Sequence, residues 1–429
     1  MSTLRMLHYF NYVMATIFVV FYFYQIGYLL LGLIRRRTKT PDTPHALHRY
    51  AAVISARNEE NVIGGLIASL KAQDYPSELL DIYVIADNCT DNTAQVALAA
   101  GAKGYRRLNR DLIGKGYALD YLFKCLSASG KDVYDGYFVF DADNYVDPCF
   151  VREMNNTFDS GNYAALTSYR NSKNFGSSWI SSAYATWFLR EARYLNNARM
   201  ILGTSCAVSG SGYLVSSKII EGMHGWDFHT LTEDIQFSTF CAVHGVRIGY
   251  APAEFYDEQP LTLSASWKQR MRWTKGFYQV FFTYGRHLLK AISKFRRFAA
   301  YDLLMTIAPG MLLTLISLLA NGTFIIVGMM SHGFLATDAE IEMCVGSLLL
   351  TLGFMYITFF AMGLLTTITE FRHIHCPAKW RIVANLFTFP LFMFTYIPLT
   401  VAALFLKVDW VPTPHDVSVT LDEVIQGAR

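Results

Sequence analysis

Charge is what this sequence has least of in four places. Residues 9–34, 303–337, 343–369 and 382–406 contain no Asp, Glu, Lys or Arg, and each run is long enough to cross a bilayer, which takes about 20 apolar residues. Four such runs at the two ends of a polar middle exclude an ordinary water-soluble protein. They imply an integral membrane protein carrying a soluble domain, and the 52% hydrophobic fraction has its excess there. No small-residue cleavage site follows the first run, which is too long for a signal-peptide core, so it is expected to remain as an anchor. The seven cysteines are scattered and show no Cys-x-x-Cys spacing; this leaves no disulfide framework and suits reduced thiols in a cytoplasmic domain. Net charge is only +3, and no basic excess points to nucleic acid.

The charges that are present orient the chain. Arg35, Arg36, Arg37 and Lys39 follow the first run directly; by the positive-inside rule they lie in the cytoplasm, put the N-terminus outside and leave the middle domain cytoplasmic. The loop 331–342 has no Lys or Arg, whereas Arg372, Lys379 and Arg381 flank the next one. This orders the middle of the topology but not its end, because residues 379–389 suit either an interface helix or part of the last span. The expected organisation is an N-terminal membrane helix (1–36), a soluble domain (45–262), amphipathic interface helices (263–298), C-terminal membrane helices (299–408) and a tail (409–429).

Within the soluble domain the pattern alternates. A strand over 51–55 leads through Ala56-Arg57-Asn58-Glu59-Glu60 into a helix over about 61–72. A strand over 80–86 ends at Asp87 and passes into a helix that runs through Ala100. A glycine-punctuated loop over 111–116, with Lys115 between Gly114 and Gly116, precedes a helix over 117–126. An apolar strand over 137–140 then stops at Asp141 and Asp143. Strands and helices in alternation predict an α/β fold with a mostly parallel sheet, whose ligands bind beyond the carboxyl ends of the strands. Paired hard oxygen ligands at a strand exit suit Mg²⁺ or Mn²⁺ bound together with substrate phosphates, although Asp-x-Asp also serves as a turn with a capping side chain. Asp87 and its neighbours Asn88 and Asp91 equally suit helix caps, and Glu59 and Glu60 the first turn of a helix. Lys115 suits a phosphate or a solvated loop.

Two later clusters complete the set. Ser209-Gly210-Ser211-Gly212 would let backbone approach a ligand closely. Glu233 and Asp234 precede a helix over 235–244; Asp234 reads as a general base or as that helix's cap, and local grounds favour the cap. The segment 263–284 mixes basic residues with Trp267, Trp273, Phe277 and Tyr278 and predicts an amphipathic helix at the membrane interface. A second surface helix over 286–297 would touch anionic headgroups. Within the first, Arg272 can fork onto a diphosphate and the Trp273 indole can hold a sugar ring.

Taken together these residues resemble the membrane-embedded family 2 glycosyltransferases, which include cellulose, hyaluronan, chitin and poly-N-acetylglucosamine synthases. The signs are Ser55-Ala56-Arg57-Asn58-Glu59, Asp87, Gly114-Lys115-Gly116, Asp141-Ala142-Asp143, Thr232-Glu233-Asp234 and Gln269-x-x-Arg272-Trp273, six in family order. The resemblance implies a metal-dependent GT-A domain inserted between transmembrane helices. It implies a UDP-sugar donor held by Ala56, Asn58, Glu59, Asp87, Lys115, Asp141 and Arg272, with the metal on Asp143 and Asp141. Asp234, with Glu233 beside it, becomes the base, which reverses the local preference for a cap. Trp273, Gln269, Gly210 and Ser211 would hold the acceptor. The implied activity is inverting, processive extension of a β-linked polysaccharide with passage through the membrane helices. Single glycosylation of a membrane lipid, as in ceramide glucosyltransferases with the same Arg-Trp motif, is the alternative, and an inactive glycan channel a third. Larger synthases of the group have more membrane helices or regulatory domains that this chain lacks.

Overall fold

The computed structural model describes residues 3–35, 44, 46–130, 133–330 and 338–409. Arg36, Arg37, Lys39, most of the loop 331–342 and the tail from Trp410 lie outside them, and with them the charges used to orient the ends of the chain.

One eight-stranded sheet organises the soluble part. Its strands are β1 (Tyr50–Ala56), β2 (Leu80–Asp87), β3 (Lys103–Arg107), β4 (Gly136–Asp141), β5 (Tyr145–Val146), β6 (Ala165–Ser172), β7 (Tyr213–Ser216) and β8 (Ile248–Asp257), in the order β3-β2-β1-β4-β7-β6-β8-β5. The first four are parallel, with Ser55 opposite Asp141 and Ala56 opposite Ala86. They are apolar because helices cover both faces: Val53 and Val139 point into one core, Ile54, Phe138 and Phe140 into the other. Each such side chain contributes about 1.5–3 kcal/mol through burial. Beyond β4 the sheet turns mixed, because β7 runs antiparallel to β4 and β6 while β6 and β8 are parallel. The expectation of a mostly parallel sheet therefore holds for half of it.

The parallel half delivers Ala56, Asp87 and Asp141 to one edge of the sheet, since in-register parallel strands end together. The mixed half brings Arg170 and Asp257 to its own strand ends, close to Asp143.

The interface segment is one helix, Leu263–Phe295, rather than the two expected. Two helices, Ile341–Thr369 and Lys379–Phe405, are long and apolar enough to cross a membrane. The first exposes Leu349, Leu350, Phe354 and Ile357, as a lipid-facing surface does. Four spans were expected, and two of the runs are divided. The first bends by 42° between Met6–Tyr22 and Tyr24–Ile34, so that the pair counts as a third candidate only if it forms one span. The 303–337 run breaks at Ala308 into Phe298–Ile307 and a helix opened by Pro309, because proline donates no backbone N–H to the preceding turn. Cys89, Cys125, Cys149, Cys206, Cys241 and Cys376 are free thiols.

Candidate active site

Lys115 is the hub of the site. It opens the helix Lys115–Ser129 instead of standing in a loop, and its Nζ donates at 2.6 Å both to Asp141 Oδ1 and to the Gly210 carbonyl. The flanking glycines have separate reasons. Gly114 has φ +141°, and a Cβ on Gly116 would lie 2.0 Å from the Phe228 carbonyl oxygen. Although burial opposes its charge, Asp141, Glu233 and Asp234 together hold the Lys115 ammonium above its ordinary range.

Asp234 sits in the first turn of the helix Glu233–His244, whose N-cap is Thr232, so the local reading of Asp234 as the cap does not hold. Its Oδ2 instead accepts the Gly210 N–H at 2.6 Å. Gly210 can present that N–H because it adopts φ +71°. Burial raises the Asp234 carboxyl above the usual carboxylate range, against the pull of the Ile235 and Gly210 N–H groups and Lys115. Glu233 is pushed up to about 7, first by burial and then by Asp234.

At the end of β4 the Asp141 N–H donates to Ser211 Oγ at 2.9 Å, so both predicted serine-glycine positions meet the acidic pair. Asp143 is 5% exposed and accepts the Glu258 N–H at 3.0 Å. Behind it Asp257 receives Arg170 Nε at 2.7 Å; burial lifts its carboxyl to about 6, with Arg170 opposing and Asp143 adding to the rise.

The remaining predicted residues form two flanks. Asp87 receives Arg107 Nη1 at 2.6 Å, both groups buried, and Arg107 Nη2 reaches the Leu112 carbonyl at 2.7 Å, tying the loop before Lys115 to the β2 end. Asn58, with φ +58°, accepts the Thr90 N–H at 2.8 Å, while the Glu59 N–H donates to Thr93 Oγ1 at 2.8 Å. Ala56 offers its carbonyl to Cys89 Sγ at 3.4 Å. On the other flank, Gly276 of the interface helix packs so closely that a Cβ would lie 2.5 Å from Thr232 Oγ1. Arg272, one turn earlier, shares that face, and Gln269 and Trp273 are likewise one turn apart. The Trp273 ring meets Tyr184 edge-on at 5.7 Å and Phe188 at 6.3 Å.

The structure thus joins Lys115, Asp141, Gly210, Ser211 and Asp234 by hydrogen bonds, with Glu233 beside Asp234 and Asp143 two positions beyond Asp141. Sequence reasoning missed Arg107, Arg170, Asp257 and Gly276. The first three could have been found as charges interrupting strands, had those strands been recognised.

A curled mixed sheet with its acidic residues at the strand ends is the GT-A architecture of nucleotide-sugar transferases. Residues 138–407 match the family described as glycosyl transferase family group 2, and residues 51–218 match glycosyl transferase family 2; the chain belongs to the family 2 glycosyltransferases. The fold is similar to that of the mannosyltransferase PcManGT from Pyrobaculum calidifontis in complex with GDP-Man and Mn²⁺, with a TM-score of 0.56 and 13% identity over 84% of this chain and 97% of that one. Beta-monoglucosyldiacylglycerol synthase of Synechocystis sp. is 26% identical over 237 residues, 54% of this chain and 49% of that protein. Poly-beta-1,6-N-acetyl-D-glucosamine synthase of Staphylococcus aureus is 27% identical over 255 residues, 56% of this chain and 58% of that protein. The chain spans about half to three-fifths of the length of these relatives.

Proposed function

We propose that this protein transfers a sugar, with inversion, from a UDP-sugar to an acceptor hydroxyl at the cytoplasmic face of a membrane, the acceptor being the end of a growing β-linked glycan. The observation that carries this reading is one lysine among three carboxylates: Lys115 with Asp141 at the end of β4 and with Glu233 and Asp234 in the first turn of a helix. Asp234 takes the acceptor proton. Its orientation is fixed by the Gly210 N–H, and a carboxyl raised above its ordinary range by burial is a better proton acceptor for an alcohol than an ordinary carboxylate. Attack on the anomeric carbon from that side expels UDP from the other, so an α-linked donor gives a β-linked product without a covalent intermediate.

Asp141 and Asp143 are hard oxygen donors in one loop and fit Mg²⁺ or Mn²⁺ as two protein ligands among phosphate oxygens and water. The cation, when bound, offsets the charge of the donor's pyrophosphate. Arg272, on the helix face that packs against Thr232, adds positive charge to the leaving diphosphate. Ala56, Asn58, Glu59 and Asp87 border the uracil and ribose, and Gln269 and Trp273 the acceptor. Passage of the product through the protein's own membrane helices belongs to the same proposal.

A second acceptor, a membrane lipid glycosylated once, is favoured by the likeness to the diacylglycerol glucosyltransferase and by the apolar setting of Trp273 among Tyr184, Phe188, Phe389 and Phe392. The test is UDP release by the purified full chain from UDP-glucose, UDP-N-acetylglucosamine, UDP-galactose and UDP-glucuronate, with and without Mn²⁺, followed by product sizing. A polymer smear supports the first acceptor and a single glycolipid the second. Absence of UDP release from every donor would refute transfer from these UDP-sugars and favour the inactive channel.

A further inference from the structure

The long helix behind the site changes its winding at one point. It runs as an α-helix over Trp179–Arg190, widens to a π turn over Glu191–Asn196 and resumes as α over Asn197–Ile201. π turns are rare and cluster at functional sites. This one borders a small cavity lined by Thr167, Arg170, Phe188, Glu191, Asn196 and Ser209.

The position of the cavity is informative. Ser209 precedes Gly210, whose N–H holds Asp234, and Phe188 touches Trp273. The space therefore lies between the proposed base and the proposed sugar platform. Its polar walls are complementary in kind. Glu191 accepts no hydrogen bond from any described residue, and Arg170 is anchored by Asp257 while its Nη1 makes only a 3.4 Å contact to the Ser209 carbonyl. Burial pushes the Glu191 carboxyl up against the pull of Arg170, Arg199 and Arg190, and Asp234 adds to the rise; a hydroxyl donor would replace the water it has lost. A carboxylate that accepts and a guanidinium that donates are what two adjacent hydroxyls require.

We infer that Glu191 and Arg170 form an acceptor subsite that grips the hydroxyl neighbouring the one attacked, so that the acceptor carries a vicinal diol. Glu191 is a positioning residue for the acceptor. The inference rests on the proposed transferase reading and deepens it: vicinal hydroxyls belong to the end of a glycan or to a glycerol headgroup with two free hydroxyls, but not to a diacylglycerol.

Binding tests it without turnover. The full chain, loaded with UDP and Mn²⁺, is titrated calorimetrically with cellobiose, chitobiose, or monoolein in micelles; dioleoylglycerol is the control with one hydroxyl. At least one diol should bind the wild type, and Glu191→Ala should weaken it about tenfold or more, the loss of a charged hydrogen bond, while UDP affinity stays within about twofold. The isosteric Glu191→Gln, which keeps the packing, should fall between the two. A saccharide response assigns the subsite to a glycan end, and a monoolein response to a lipid glycerol. The inference is overturned if no diol binds the wild type, if dioleoylglycerol binds as well as monoolein, if both variants bind as the wild type does, or if UDP affinity falls in parallel. Failure of the transferase reading shows separately, as absent UDP release by a protein that still binds UDP.

Discussion

Replacing Glu233 by Gln should make the protein more stable at alkaline pH while leaving its stability in acid almost unchanged. Glu233 is buried beside Asp234, and its carboxyl is displaced from 4.5 to about 7. The folded state thus holds the proton more tightly than the unfolded chain. Stability from this group is complete below about 4.5 and is lost as the pH rises through about 7. At 1.36 kcal/mol per pH unit, the displacement from 4.5 to about 7 corresponds to about 3 kcal/mol. Glutamine keeps the shape and carries no charge at any pH, so the variant escapes this loss. Apparent melting temperatures of the two proteins, measured from pH 4.5 to 9 in one detergent, should coincide at the acid end and separate by several degrees above pH 8. A melting difference that is constant across pH, or a wild type that is the more stable above pH 8, would refute the reasoning.

Asp234→Asn should reduce transfer by about 10²-fold or more while sparing UDP binding, and the wild-type rate should fall as acid protonates Asp234 at a pH above the usual carboxylate range; unchanged UDP release in the variant excludes Asp234 as the base. Asp143→Asn should weaken Mn²⁺ binding in the presence of UDP about tenfold or more, as measured by titration calorimetry, and equal affinity removes Asp143 from the metal site. Asp302→Asn should cost about 3–5 kcal/mol, seen as a lower melting temperature and loss of monodisperse protein, because it strands the buried Arg199 that Asp302 now receives at 2.7 and 2.9 Å; wild-type melting counts against a structural pair.

The parts of the fold legible in the sequence are those where one physical demand acts alone. β1, β2 and β4 were found because strands covered on both faces become short apolar runs. β3 was not, since Lys-Gly-Tyr-Arg-Arg is a charged edge strand that reads as a loop. β6 and β8 were missed because they carry Arg170, Asn171, Glu254 and Asp257 in buried pairs, so that polar residues stand where periodicity seeks apolar ones. Composition revealed the apolar runs near the termini but not their divisions, which depend on local backbone geometry at Phe23 and Ala308. The site shows the same limit: Lys115 was visible as a phosphate ligand or a solvated loop residue, and only the 2.6 Å contact to Asp141, 26 positions away, removes the solvated loop.

The interface helix and the apolar C-terminal helices pack against the candidate site. The helix bearing Asp234 starts at Thr232, against which Gly276 of the interface helix packs without room for a Cβ. Gln279 of that same helix accepts the Leu231 N–H at 3.0 Å. The interface helix is fastened in turn by Arg270, fully buried, which donates to Thr395 Oγ1 at 2.6 Å and lies over the rings of Phe392 and Tyr396. Tyr278 and Lys275 add contacts to the carbonyls of Thr400 and Ala403. A displacement of the C-terminal helix therefore reaches Asp234 through two packed layers, and it reaches Trp273 directly through Phe389 and Phe392. Asp234 and Trp273, the proposed base and platform, are positioned from the apolar C-terminal helices, whereas Asp141 and Lys115 are positioned from the sheet. The proposed acceptor half and the proposed donor half of the site thus rest on different parts of the fold, joined where Gly210 holds Asp234 on one side and Lys115 on the other.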